Sequence, residues 1–139
     1  MSQDPKSVMR RFVDEYQSQG KEDVARELLA DNFVDHSASP GLPPDRDGVL
    51  QLFAILRAGI PDLHAEIHQM LLDGDKVITL KTFHGHHKGE LFGAAPTGKP
   101  IAVDVMDIVR IENGKMLEHW NVVNQLQLMQ GIGLAPGGG

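Results

Sequence analysis

The stretch Ile101–Val123, IAVDVMDIVRIENGKMLEHWNVV, decides the fold class. Ile101–Ile111 and Lys115–Val123 read as an otherwise apolar pair of strands that carries Asp107, His119 and Asn121. Asn113-Gly114 between them is the strongest short hairpin signal in the chain. The loop length then sets which residues face inward. A two-residue loop pairs Asp107 with Trp120 and sends His119 to the opposite face. A three-residue loop, with Gly114 left-handed, pairs Asp107 with His119 and sets Asn121 beside Val105. That register gathers Val103, Val105, Asp107, Val109, Leu117, His119, Asn121 and Val123 on one face. It leaves Asp104, Met106, Arg110, Glu118 and Trp120 on the other. It sorts the apolar side chains better, and is the register expected here.

Before this hairpin the chain reads as helices, then strands. Val8, Phe12, Val13 and Tyr16 stand at helical spacing and predict an amphipathic helix over Pro5 to Gln19, with Gly20 as C-cap. Val24, Leu28 and Leu29 mark a second, ending near Asp31, and Phe33–His36 reads as a short strand. Ser37–Pro44 is a proline-rich loop. Asp45 or Asp47 caps a third helix, buried through Val49, Leu50, Phe53, Ile55, Leu56 and Ile60 and stopped by Pro61. Leu63–Leu72 and Lys76–His87 are strands joined at Asp73-Gly74-Asp75, and a Gly/Pro loop, 89–100, leads to the hairpin. Gln125–Ile132 reads as a last helical turn. Helices first and a long antiparallel sheet later argue an α+β fold. The expected organisation is one domain over residues 1–134 with a frayed tail, 135–139.

Composition narrows the function. With 139 residues, 41% of them hydrophobic, the chain can bury a real core. A net charge of −6 offers no basic surface for phosphate backbones, so nucleic acid is not the expected partner. The absence of cysteine removes disulfides, thiolate nucleophiles and Cys-ligated zinc. No run reaches membrane-span length and residues 1–20 are polar, so no membrane association and a cytoplasmic location are expected.

Asp107, His119 and Asn121 are the candidate catalytic residues. A carboxylate among valines beside an imidazole is equipped to move a proton, and an asparagine amide can hold a carbonyl oxygen without removing a proton. The alternative is a satisfied polar network that only fixes the core. Tyr16, His36, Phe53, Phe83, His87 and Asn124 are the candidate substrate-binding residues. His84, His86 and His87 do not make a metal site on a strand, because neighbours point to opposite faces and no carboxylate stands at ligand spacing; no metal is expected.

Gly85–Gly93 (GHHKGELFG), Pro96–Pro100, Asp107–Ile111, Asn113-Gly114-Lys115 and Glu118-His119-Trp120 resemble the SnoaL-like polyketide cyclases of the nuclear-transport-factor-2-like superfamily. The resemblance extends over nearly the whole chain, including Phe33–His36 and Pro61-Asp62-Leu63. It implies a cone of curved antiparallel sheet covered by N-terminal helices, the cystatin-like α+β barrel. It also implies aldol ring closure of a small apolar carbonyl or polyketide compound, without cofactor or metal. An aspartate just after the motif's Trp acts there as acid/base, assisted by a His or Asp on the preceding strand. Those positions carry Asn121 and Asp107 here. The same cone without turnover would be a binding protein for a small apolar ligand. Met106 and Trp120 on the outer face are expected to serve a homodimer.

Overall fold

The computed structural model describes residues 4–136. Asp4 accepts from the Ser7 backbone N–H at 3.2 Å, and Pro5 stands where the missing N–H costs nothing, so α1 begins here and spans Pro5–Arg11. It continues into a π-helical turn, Phe12–Gln17, in which Phe12, Val13, Tyr16 and Gln17 are all buried. This corrects the expected uninterrupted α-helix to Gln19, and it brings a polar residue, Gln17, inside together with Tyr16. α2 spans Glu22–Leu28 and passes directly into β1, Leu29–Asp35, which therefore starts at Leu29 rather than at Phe33. α3, Arg46–Gly59, is capped by Asp45, whose Oδ1 accepts from the Gly48 N–H at 3.1 Å. The remaining elements are β2 (His64–Asp73), β3 (Lys76–His86), β4 (Pro100–Glu112), β5 (Lys115–Val123) and α4 (Gln125–Gly131).

Among the described residues the strands form one five-stranded curved, unclosed sheet in the order β1-β5-β4-β3-β2, and the fold is α+β as expected. β2 to β5 pair antiparallel, but β1 lies parallel to β5 at the edge, a correction to an antiparallel sheet throughout. The parallel arrangement is open to β1 because residues 36–114, far more than a crossover needs, separate it from β5. Irregular pairing between Ile67 and Gln69 and between Arg110 and Ile111 marks bulges, which bend a sheet.

The second bulge corrects the hairpin register. Asn113 (φ 52°) and Gly114 (φ 76°) are both left-handed, so the turn has two residues and Glu112 pairs with Lys115. The bulge then inserts one extra residue on β5, at Leu117. Val109 pairs with His119, Asp107 with Asn121 and Val105 with Val123. A turn shorter by one residue and a bulge longer by one preserve the inward parity of His119 and Asn121, while the pairs themselves move by a step.

Two apolar clusters fill the space between helices and sheet. One joins Val8, Phe12, Val24 and Leu28 to Val77, Val109, Ile111 and Met116; the other joins Ile60, Leu63 and Leu91 to Ile101, Val103, Val105 and Ile132. Phe53 of α3 packs against both. At the C-terminal end, Ala135 and Pro136 are tied back, the first through its N–H to Met129 O at 3.2 Å and the second through its carbonyl, which accepts from Gln130 Nε2 at 3.2 Å. Residues 137–139 of the expected tail lie outside the described residues. Among the described residues, no helix is long and apolar enough to cross a membrane.

Candidate functional site

A cavity of about 340 Å³ lies between the helices and the concave face of the sheet, where the two apolar clusters meet. Its walls are largely aliphatic and aromatic: Val103, Val105 and Val109 of β4, Phe83 of β3, and Phe53 and Leu56 of α3. A belt of polar groups crosses the sheet side of this hollow: Lys81 on β3, Asp107 on β4, His119 and Asn121 on β5, and Asp35 on β1. Strand alternation puts each of them on the concave face.

Lys81 and Asp107 form a buried ion pair, Nζ to Oδ2 at 2.6 Å, with side-chain exposures of 0% and 4%. Lys81 Nζ also donates to Gln17 Oε1 at 2.8 Å and stands 5.1 Å from the centre of the Phe83 ring. Asp107 Oδ1 is buried and has no hydrogen-bond partner among the described residues. A carboxylate oxygen without a partner is costly in an apolar surrounding, so a group that can share a proton with it is strongly favoured there.

The second polar unit is a dyad. His119 Nδ1 lies 2.9 Å from Asp35 Oδ1, which also accepts from the Ser37 backbone N–H at 3.0 Å. Burial would push the Asp35 carboxyl up, but the hydrogen bond and charge of His119 and the Ser37 N–H outweigh it and hold it below the ordinary aspartate range. An ionised carboxylate only accepts, so the Nδ1 proton belongs to the imidazole and Nε2 is the nitrogen left to exchange a proton. Asn121 is fixed through its backbone, its N–H donating to Ser37 Oγ at 2.9 Å.

The pH dependence of this dyad has a definite sign. Because the folded carboxyl is depressed below its ordinary value of 3.8, its stabilisation is complete above that value and is lost as the pH falls through the lower folded one. Asp35→Asn is expected to cost roughly 1–3 kcal/mol at neutral pH, with the difference from wild type closing below about pH 4. Thermal melts between about pH 3 and 7 measure it; a gap that persists unchanged to the acid end contradicts this account.

The structure brings Asp107, His119, Asn121, Phe53 and Phe83 to the cavity wall. Four other expected residues lie elsewhere. Tyr16 is packed behind the wall, its ring 5.2 Å from Phe12 and 5.3 Å from Phe53, and burial pushes its phenol up. His36 follows an inward Asp35 on a strand and so points outward, stacking on Trp120 at 4.6 Å and meeting Glu118 Oε2 at 2.8 Å. His87 is inward and fully buried, but it sits past the end of β3 beneath the 88–99 loop, its Nδ1 accepting from the Thr97 N–H at 3.3 Å. Asn124 follows the last residue of β5 and caps α4, accepting from Gln127 N–H at 3.1 Å. Lys81, Gln17 and Asp35 belong to the site and escaped the sequence reading. The alternation Val77, Thr79, Lys81, Phe83 was the available signal for the lysine, and the inward Phe33 for Asp35. Among the described residues there is no group of three or more His, Asp or Glu that could hold a metal ion.

The family model of the SnoaL-like polyketide cyclases matches residues 7–132. The chain belongs to this family. Among solved structures, this SnoaL-like chain is similar to a candidate polyketide cyclase from Bacillus cereus ATCC 10987, at 29% identity over 94% of this chain and 80% of that one, with a TM-score of 0.82. It is similar at 28% identity to IdmH, a candidate polyketide cyclase from Streptomyces antibioticus, over 94% and 99% of the two chains, again with a TM-score of 0.82. A protein of ketosteroid isomerase-like fold from Catenulispora acidiphila DSM 44928, 18% identical over 92% and 93% of the chains with a TM-score of 0.71, shares the fold. No functionally curated protein matches the chain.

Proposed function

We propose that this SnoaL-like protein performs cofactor-independent acid–base chemistry on a small apolar carbonyl compound, closing a ring by intramolecular aldol condensation or carrying out a related lyase or isomerase step. The observation that carries this reading is Asp107, a buried carboxylate among the residues lining an apolar cavity, whose Oδ1 has no hydrogen-bond partner among the described residues. In the proposed reaction that oxygen takes the proton α to a carbonyl, and the Asn121 amide donates to the enolate oxygen. The enolate carbon then attacks the second carbonyl, and His119 Nε2–H, oriented by Asp35, protonates the alkoxide. Solvent returns the proton from Asp107 to His119, so the site is restored without an oxidant or reductant.

The test is incorporation of deuterium from D₂O into the α positions of 1-tetralone, an apolar cyclic ketone whose uncatalysed exchange is slow. Catalysed exchange with saturable kinetics is the expected result. Asn121 favours a second reading, because an amide stands where the family resemblance has an aspartate: a binding protein that holds the same ligand without turnover. Saturable affinity for 1-tetralone with no exchange above background selects that reading.

We also propose a homodimer through the convex face of the sheet. Leu71, Ile78, Ile108 and Trp120 form a continuous cross-strand row there, and Leu80, Met106 and Val122 form the next. Met106 is 48% and Val122 74% exposed, an apolar patch of the kind that a partner covers. Trp120→Glu is expected to yield a monomer in sedimentation velocity. An unaltered dimer eliminates this face.

A further inference from the structure

Lys81 is a costly residue to which the acid–base reading assigns no task. A buried ion pair is often no more stable than well-packed apolar side chains of the same volume, so stability alone does not account for a fully buried ammonium against a buried carboxylate. The geometry accounts for it better. Lysine has three N–H donors on a flexible stem. Asp107 Oδ2 at 2.6 Å takes one and Gln17 Oε1 at 2.8 Å takes another, with the Phe83 ring flanking the group. Held between helix and sheet, the ammonium engages a single carboxylate oxygen and leaves Oδ1 without a partner. A bidentate arginine at the same place would occupy both oxygens.

Gln17 is the other half of the device. It is the last residue of the π-helical turn, 6% exposed, and one of four residues of that turn that are buried. Single π turns are uncommon and recur at functional sites. Among the described residues, the turn supplies the acceptor that reaches Lys81 from the helix side.

We infer that Lys81 and Gln17 are positioning residues: Gln17, delivered by the π-helical turn, locks the Lys81 ammonium, and Lys81 holds Asp107 by Oδ2 alone and so fixes the carboxylate that the acid–base reading uses at the cavity wall. The inference rests on the acid–base reading of Asp107. It is tested with Gln17→Leu, which removes the acceptor, and Gln17→Glu, which restores one. For 1-tetralone exchange, Gln17→Leu is expected to lower kcat roughly 10- to 100-fold, as misplacement of a reacting group does. KM should stay within about twofold, and Gln17→Glu should recover most of the lost kcat. A merely structural Gln17 lowers the melting temperature and leaves kcat per folded molecule unchanged, and that result overturns the inference.

The ¹⁵N signal of the Lys81 ammonium provides a readout independent of turnover, since a locked, buried NH₃⁺ exchanges its protons slowly. Its loss in Gln17→Leu supports the lock and its persistence sinks it. Should the wild type bind 1-tetralone without exchanging it, the acid–base reading fails, while this signal still decides whether Gln17 locks Lys81.

Discussion

Asp107→Asn is expected to reduce 1-tetralone exchange by about 10²- to 10⁴-fold in kcat, the range that a positioned general base contributes. The substitution keeps the shape of the side chain and keeps an acceptor for Lys81, but removes the negative charge and the basic oxygen. It therefore also leaves a buried ammonium without its counter-charge, and the melting temperature should fall. The rate has to be compared per folded molecule, at a temperature where circular dichroism shows the variant to be folded. His119→Gln is the companion: loss of the imidazole proposed to protonate the alkoxide should slow net ring closure while leaving α-proton exchange less affected. An Asp107→Asn variant that exchanges within about threefold of wild type would move the proposed base to His119 and end the role proposed for Asp107.

Lys81→Met is expected to destabilise the protein by about 3–5 kcal/mol, because it strips the partner from a buried carboxylate. Lys81→Met combined with Asp107→Leu should recover most of that loss, since apolar groups of similar volume replace both charges. Chemical denaturation of the two single variants and the double variant gives the coupling directly. Equal and additive losses would show that the two side chains do not depend on each other. Recovery of stability without recovery of exchange is the combination that separates the role of the pair in chemistry from its role in folding.

The sequence reading located the elements well where a local rule was strong. Asp45 caps α3 because its side chain meets the first free N–H groups of the helix. Asn113-Gly114 turns the chain because both positions need a left-handed backbone. β5 runs over Lys115–Val123, the bounds expected from the hairpin turn before it. It was weaker where two local signals met: Leu29 continues the apolar spacing of α2 yet opens β1, since the parallel pairing with β5 decides it. The π-helical turn is invisible in the spacing of Phe12, Val13 and Tyr16, because an α-helix buries the same residues.

By itself the sequence determined the α+β class, the hairpin and the inward parity of Asp107, His119 and Asn121, all of which depend on side-chain period and turn chemistry between near neighbours. Only the tertiary structure decided what those groups touch. The bulge at Leu117 opposes Asp107 to Asn121, and parallel pairing sets Asp35 against His119. The approach of the π turn to β3 commits Lys81 to Asp107 and Gln17. The Asp35–His119, Lys81–Asp107 and Gln17–Lys81 contacts join residues far apart in the chain, and such pairs are chosen by the packing of the whole sheet against its helices.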